Sequence, residues 1–116
     1  MKKVSGFFID ALQRKVSKIE VETLEDMQRC VGGFIELAPG HNTSQTLYVN
    51  EEGLIKGFDY GFSFGGSEPF LGNGLLLGPV DNHGHTLSCT MPIEVIKVFT
   101  IFYTAASLKA YRFIPF

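Results

Sequence analysis

A chain of 116 residues with a formal net charge of −2 is about one domain long, with no overall basic field to hold a nucleic acid and no dense acidic surface to imitate one. Hydrophobic residues make up 45% and charged residues 19%, which sets the chain among globular proteins and apart from disordered ones. The longest uncharged apolar stretch, Val98 to Leu108, is interrupted by Thr100, Thr104 and Ser107 and is too short to span a bilayer, so no membrane association is expected.

Met1-Lys2-Lys3 has the basic start of a secretory signal, but Asp10, Arg14 and Lys15 arrive before an apolar segment and a cleavage site, which reads as a cytoplasmic protein. Val4 to Leu12 and the alternating Val16-Ser17-Lys18-Ile19-Glu20-Val21 predict a β-hairpin. Thr23 can cap a helix over Leu24 to Val31, with Glu25 and Asp26 at the positive end of its dipole and Gly32-Gly33 to end it. Strands are expected at Phe34 to Leu37 and Thr46 to Val49, the second turning at Asn50-Glu51-Glu52-Gly53 and returning through Leu54-Ile55.

From Gly57 to Gly66 the pattern sets Phe58, Tyr60, Phe62 and Phe64 on one face of an extended segment. Leu75-Leu76-Leu77 reads as a buried strand and Asp81 to His85 as a turn. Met91-Pro92 opens a helix that the spacing of Val95, Val98, Phe99, Phe102 and Ala106 carries toward the C-terminus. That helix is apolar on more than one side, which predicts burial in the core or self-association. The tail Lys109 to Phe116 holds three aromatics and is expected to dock. The whole reads as one α+β domain over 1–116: a small mixed or antiparallel sheet of about five to six strands, one helix after the first hairpin and a C-terminal helix.

The stretch Leu24 to Leu37, with its helix, double glycine and Ile-Glu, resembles a family of small phage, plasmid and bacterial proteins, the domain of unknown function 3846 family. Leu47 to Gly57, with its Asn-Glu-Glu-Gly turn, and Gly72 to Gly78 are similar to further parts of that family in the same order. The resemblance covers about residues 3–80, while 57–66 and the C-terminal part, 81–116, depart from the pattern. It implies a mobile-element origin and no settled activity, so it carries no catalytic residue across.

Several constellations have chemical meaning. His83-x-His85 sets two imidazoles close together, and Cys89 or His41 could complete a zinc site; the alternative is a solvent-facing turn. Cys30 and Cys89 fit neither a disulfide framework nor a Cys-x-x-Cys motif and read as buried free thiols. Lys56 to Phe62 partly echoes an aromatic RNA-stacking strand, which Asp59 and the acidic chain oppose. Gly72-x-Gly74 precedes a strand rather than a helix and is no nucleotide loop. Glu51-Glu52 reads as turn chemistry, and no Ser or Cys sits in a nucleophile motif.

The expectation is therefore a non-catalytic, cofactor-free binding module, homo-oligomeric, that acts on a host protein or sequesters a nucleotide-like small molecule. Glu36, Tyr48, Asn50, Phe58 and Tyr60 are its candidate ligand contacts, the aromatics against a base and basic side chains near phosphates. The alternatives are a small metal-dependent protein using His83, His85 and Cys89, and a purely structural oligomeric accessory.

Overall fold

The period-two pattern at the N-terminus folds as a hairpin in the structure, a computed structural model that describes residues 2–111. Strands β1 (Val4–Asp10) and β2 (Lys15–Val21) pair antiparallel along their whole lengths. Their turn is held from two sides: Asp10 Oδ1 accepts the Gln13 N–H at 3.0 Å, and Asn73 Oδ1 accepts the Ala11 N–H at 2.7 Å.

Helix α1 (Leu24–Val31) begins and ends as its sequence predicts. Thr23 Oγ1 accepts the Asp26 N–H while the Asp26 carboxylate accepts the N–H groups of Thr23 and Glu22, and Gly32 closes the helix in the left-handed conformation at φ 79°. The Arg29 guanidinium on Asp26, joined by those two backbone donors, holds the Asp26 carboxyl down from 3.8 to about 2. A carboxyl depressed in the folded state stabilises the protein above its unfolded pKa, and that contribution is lost as pH falls through the folded value. Asp26→Asn is therefore expected to lower Tm at neutral pH and to flatten the acid limb of the stability curve between about pH 4 and 2, as followed by circular dichroism. An unchanged acid limb would contradict the assignment.

After α1 come β3 (Ile35–Leu37) and β4 (Thr46–Asn50), antiparallel to each other. The return strand expected at Leu54-Ile55 does not form. Residues 51–57 are turns, Asn50 Oδ1 takes the Glu52 N–H at 2.7 Å, and Leu54 and Ile55 are 80% and 83% exposed. The inner partner of β4 is instead β7 (Gly74–Leu77), which runs between β1 and β4 and gives a five-stranded sheet in the order β2-β1-β7-β4-β3.

A second, three-stranded sheet has the order β6-β5-β8, from β5 (Gly61–Phe64), β6 (Phe70–Leu71) and β8 (Thr100–Tyr103). Of the aromatic stretch 57–66 only Gly61–Phe64 is strand, and Phe62 and Phe64 are wholly buried. The single C-terminal helix expected through Ala106 is split into α2 (Ile93–Phe99), β8 and α3 (Ala105–Tyr111). Thr100 ends α2 by turning extended (φ −101°, ψ 129°), its hydroxyl donating to Ile96 O at 2.6 Å, and the β-branched and aromatic run that follows pairs with the open edge of β5. The expectation of a docked tail lies, for residues 112–116, outside the described residues.

Among the described residues the fold is thus α+β, with eight strands in two antiparallel sheets and three helices. Alternation along the central sheet divides the core in two. One face carries Val4, Val21, Leu75 and Leu77 against Met27, Cys30 and Val31 of α1; the other carries Ile9, Leu47, Val49 and Leu76 against Phe62, Phe64 and Ile96. The layers run α1, five-stranded sheet, then the small sheet with α2. No helix among them is long and apolar enough to cross a membrane.

Candidate functional site

Between the β3–β4 end of the large sheet, strand β6, the loop after β4 and helix α3 a cavity of about 550 Å³ opens. Val49, Phe58, Phe70, Leu71 and Leu108 give it an apolar lining, with the exposed Leu54 at its lip and α3 supplying Leu108. Among the described residues its charged groups are Glu36, Glu51 and Asp59 against Lys109, an excess of carboxylates. Loop 51–60 is set in place by backbone bonds, Glu51 N–H donating to Phe34 O ahead of β3 at 2.9 Å and, within the loop, Lys56 N–H to Glu52 O at 2.8 Å.

Three of the five residues singled out as ligand contacts, Glu36, Asn50 and Phe58, line this cavity. Glu36 sits exposed on the edge strand β3, with no side-chain hydrogen bond or ion pair to another described residue. Asn50 is buried and its side-chain polar atoms serve the fold: Nδ2 donates to Val31 O at the end of α1 (2.9 Å) and Oδ1 takes the Glu52 N–H. Phe58 stands on a partition. Its ring lies 5.4 Å from that of Tyr60, and on the other side both border a shallower cleft of about 520 Å³ with Phe8, Arg29, Lys56 and Asn73. Burial, reinforced by Asp10 and Asp59, pushes the Tyr60 hydroxyl up, so it stays a neutral hydrogen-bonding group.

Tyr48 lies apart from these four, on the α1 face of the sheet. It lines a cavity of about 750 Å³ between the start of β1, Met27 of α1 and the loop 81–88. His83 and His85 sit in that loop with rings 6.3 Å apart, on an Asp81 whose Oδ1 accepts both their N–H groups at 2.8 and 2.9 Å. His85 Nδ1 is 3.5 Å from Asp81 Oδ2. Cys89 is half-buried and packs against the other core cluster, burial pushing its thiol up, while His41 packs 6.0 Å from the Phe64 ring with its pKa lowered by burial. Among the described residues no three of His, Cys, Asp and Glu gather as a metal site would need. Cys30 is buried on the inner face of α1, which pushes its thiol up, and both cysteines are free.

Sequence reasoning missed Phe70, Leu71, Leu108 and Lys109 as cavity walls, and it read Lys2 and Lys3 only as a possible leader. Proximity in the chain could not have joined them to Glu36 or Tyr48. The one local signal was the pairing of polar Glu36 with exposed Leu37 on a short strand, which marks a sheet edge.

The fold and its cavities define a small three-layered α+β domain that is open on both faces of its central sheet. The chain belongs to the family described as a domain of unknown function (DUF3846), whose model matches residues 5–100 and so takes in the aromatic stretch and the 81–88 loop as well. A search of curated proteins found no match. A search of solved structures found none either.

Proposed function

We propose that the protein is a non-catalytic binding module whose cavity beside β3 and β4 takes a segment of a partner protein, an apolar side chain inward and a basic residue at the rim. The observation that carries this reading is the cavity's composition: apolar lining with Glu36, Glu51 and Asp59, and Lys109 the one cation among the described residues on its wall. Such a rim repels a phosphate and attracts Lys or Arg, which favours a peptide over a nucleotide at this place. The mobile-element setting implied by the resemblance makes a host protein in the cytoplasm the natural partner.

A displayed peptide library selected on the immobilised protein tests it. Enriched peptides are expected to join a large apolar residue to a flanking Arg or Lys, and Asp59→Asn with Glu51→Gln should weaken them by up to about fivefold, the loss of an exposed ion pair. Enrichment of acidic peptides, or binding indifferent to Leu108→Glu in a variant of unchanged Tm, would overturn the reading.

Self-association is a second reading, favoured by one observation. Val98 is 79% and Ile101 56% exposed, apolar side chains on neighbouring elements α2 and β8, and β8 carries no charged residue. Sedimentation velocity over a concentration series decides it: a constant monomer mass removes the reading.

A further inference from the structure

We propose that the cavity on the opposite face, between the start of β1, α1 and loop 81–88, binds a phosphorylated small molecule carrying an apolar ring. This site is independent of the peptide reading above and lies on the other side of the central sheet.

Charge is the first argument. In a chain of net charge −2, Lys2 and Lys3 both line this one cavity, with His85 also on its lining. The acid among them, Asp81, is already engaged: it accepts the N–H groups of His83 and His85 and pairs with the His85 ring. Those contacts lower its pKa and keep it ionised, yet they turn its oxygens toward its own loop. Lys2 has no ion-pair partner among the described residues, and Lys3 has only a 3.9 Å contact to Glu20 between exposed side chains. The Lys2 ammonium is therefore left to meet an anion, and Lys3, held only by a long contact between exposed side chains, can turn to join it.

Hydroxyl protons are the second. Ser88 Oγ accepts the Ser5 N–H at 2.9 Å and has its own proton still to give. Tyr48 and Thr86 share one hydrogen bond of 3.2 Å, which uses one of their two protons and leaves the other. Ammonium groups with hydroxyl donors are the set that a phosphate monoester's oxygens take up.

Shape is the third. The volume of about 750 Å³ exceeds what an inorganic ion fills and lies within the roughly 300–1,000 Å³ of small-molecule sites. The rest of the wall is Val4, Met27, Leu87 and the Tyr48 ring, apolar surface that suits a planar ring rather than a second charge.

An amide NMR titration with AMP, pyrophosphate and adenosine tests the proposal. AMP is expected to shift Gly84 to Ser88 and Val4 saturably, with adenosine weaker by about tenfold for want of the phosphate. The doubly substituted Lys2→Glu, Lys3→Glu protein should bind AMP at least about tenfold more weakly with its other amides unmoved. Both lysines are exposed, so the fold tolerates the change. Absence of shifts with AMP and pyrophosphate at millimolar concentration would overturn the proposal, as would equal AMP affinity in the charge-reversed protein. Pyrophosphate binding without AMP binding would overturn the apolar-ring part.

Discussion

Phe62→Ala is expected to lower the unfolding free energy by about 3–5 kcal/mol, the range for removing a wholly buried aromatic. Against a total of about 5–15 kcal/mol this leaves a marginal protein, and at about 4 °C per kcal/mol the transition falls by well over 10 °C. Phe62 has this weight because Gly74 makes room for it. Gly74 lies in β7 between Ile9 and Val49, and a Cβ there would stand 2.4 Å from the Phe62 ring. Gly74→Ala alone should therefore cost about 1–3 kcal/mol through overpacking. Combined with Phe62→Leu it should cost less than the two changes added, by about 1–2 kcal/mol of coupling. Urea unfolding of the four proteins measures the cycle, and simple additivity would show that the ring and the glycine do not meet.

Gly78→Ala acts on backbone instead of side chain. The added Cβ would stand 2.0 Å from the carbonyl oxygen of Ser88, and the strip 87–89 has to leave its place. That strip is bonded to Gly78 through Leu87 O (2.8 Å), to Pro79 through Leu87 N (2.9 Å) and to Ser5 through Cys89 N (2.8 Å). Loss of about 2 kcal/mol or more is expected, since the neighbour is rigid. A second reading comes from Cys89, whose burial holds its thiol protonated. In a Cys30→Ser background, reaction of Cys89 with a disulfide reagent should quicken severalfold once the strip lifts. An unchanged rate with unchanged stability would mean the strip accommodates the methyl in place.

Where local pattern and final structure agree, a local cause suffices. The first hairpin has strict alternation, α1 has a cap box and a left-handed glycine, and β7 has an apolar run bounded by glycines. Where they differ, the deciding partner is distant. Leu54 and Ile55 have good strand propensity, but the inner edge of β4 is taken by Leu75 and its neighbours, and the pair is left in a turn. Ile101, Phe102 and Tyr103 are apolar at every position, so their period cannot separate helix from strand; pairing with Ser63, Phe62 and Gly61 does. The candidate contacts divide on the same ground. Glu36, Asn50 and Phe58 share a cavity because β3 and β4 pair next to loop 51–60, whereas Tyr48 faces the opposite way along β4 from Val49 and joins Lys2, Lys3 and His85.

The place of β7 between β1 and β4 also orders events in time. Phe7 finds Leu76 and Tyr48 finds Leu75 only when the chain beyond residue 74 has been made, so neither of the earlier hairpins has its inner neighbour before then. At about 5–20 residues per second of synthesis, a nascent chain shows two unpaired strand edges for seconds, and assembly of the large sheet is one late insertion rather than a growth hairpin by hairpin. A stall or cleavage between β4 and β7 would leave two sticky halves with no way to close.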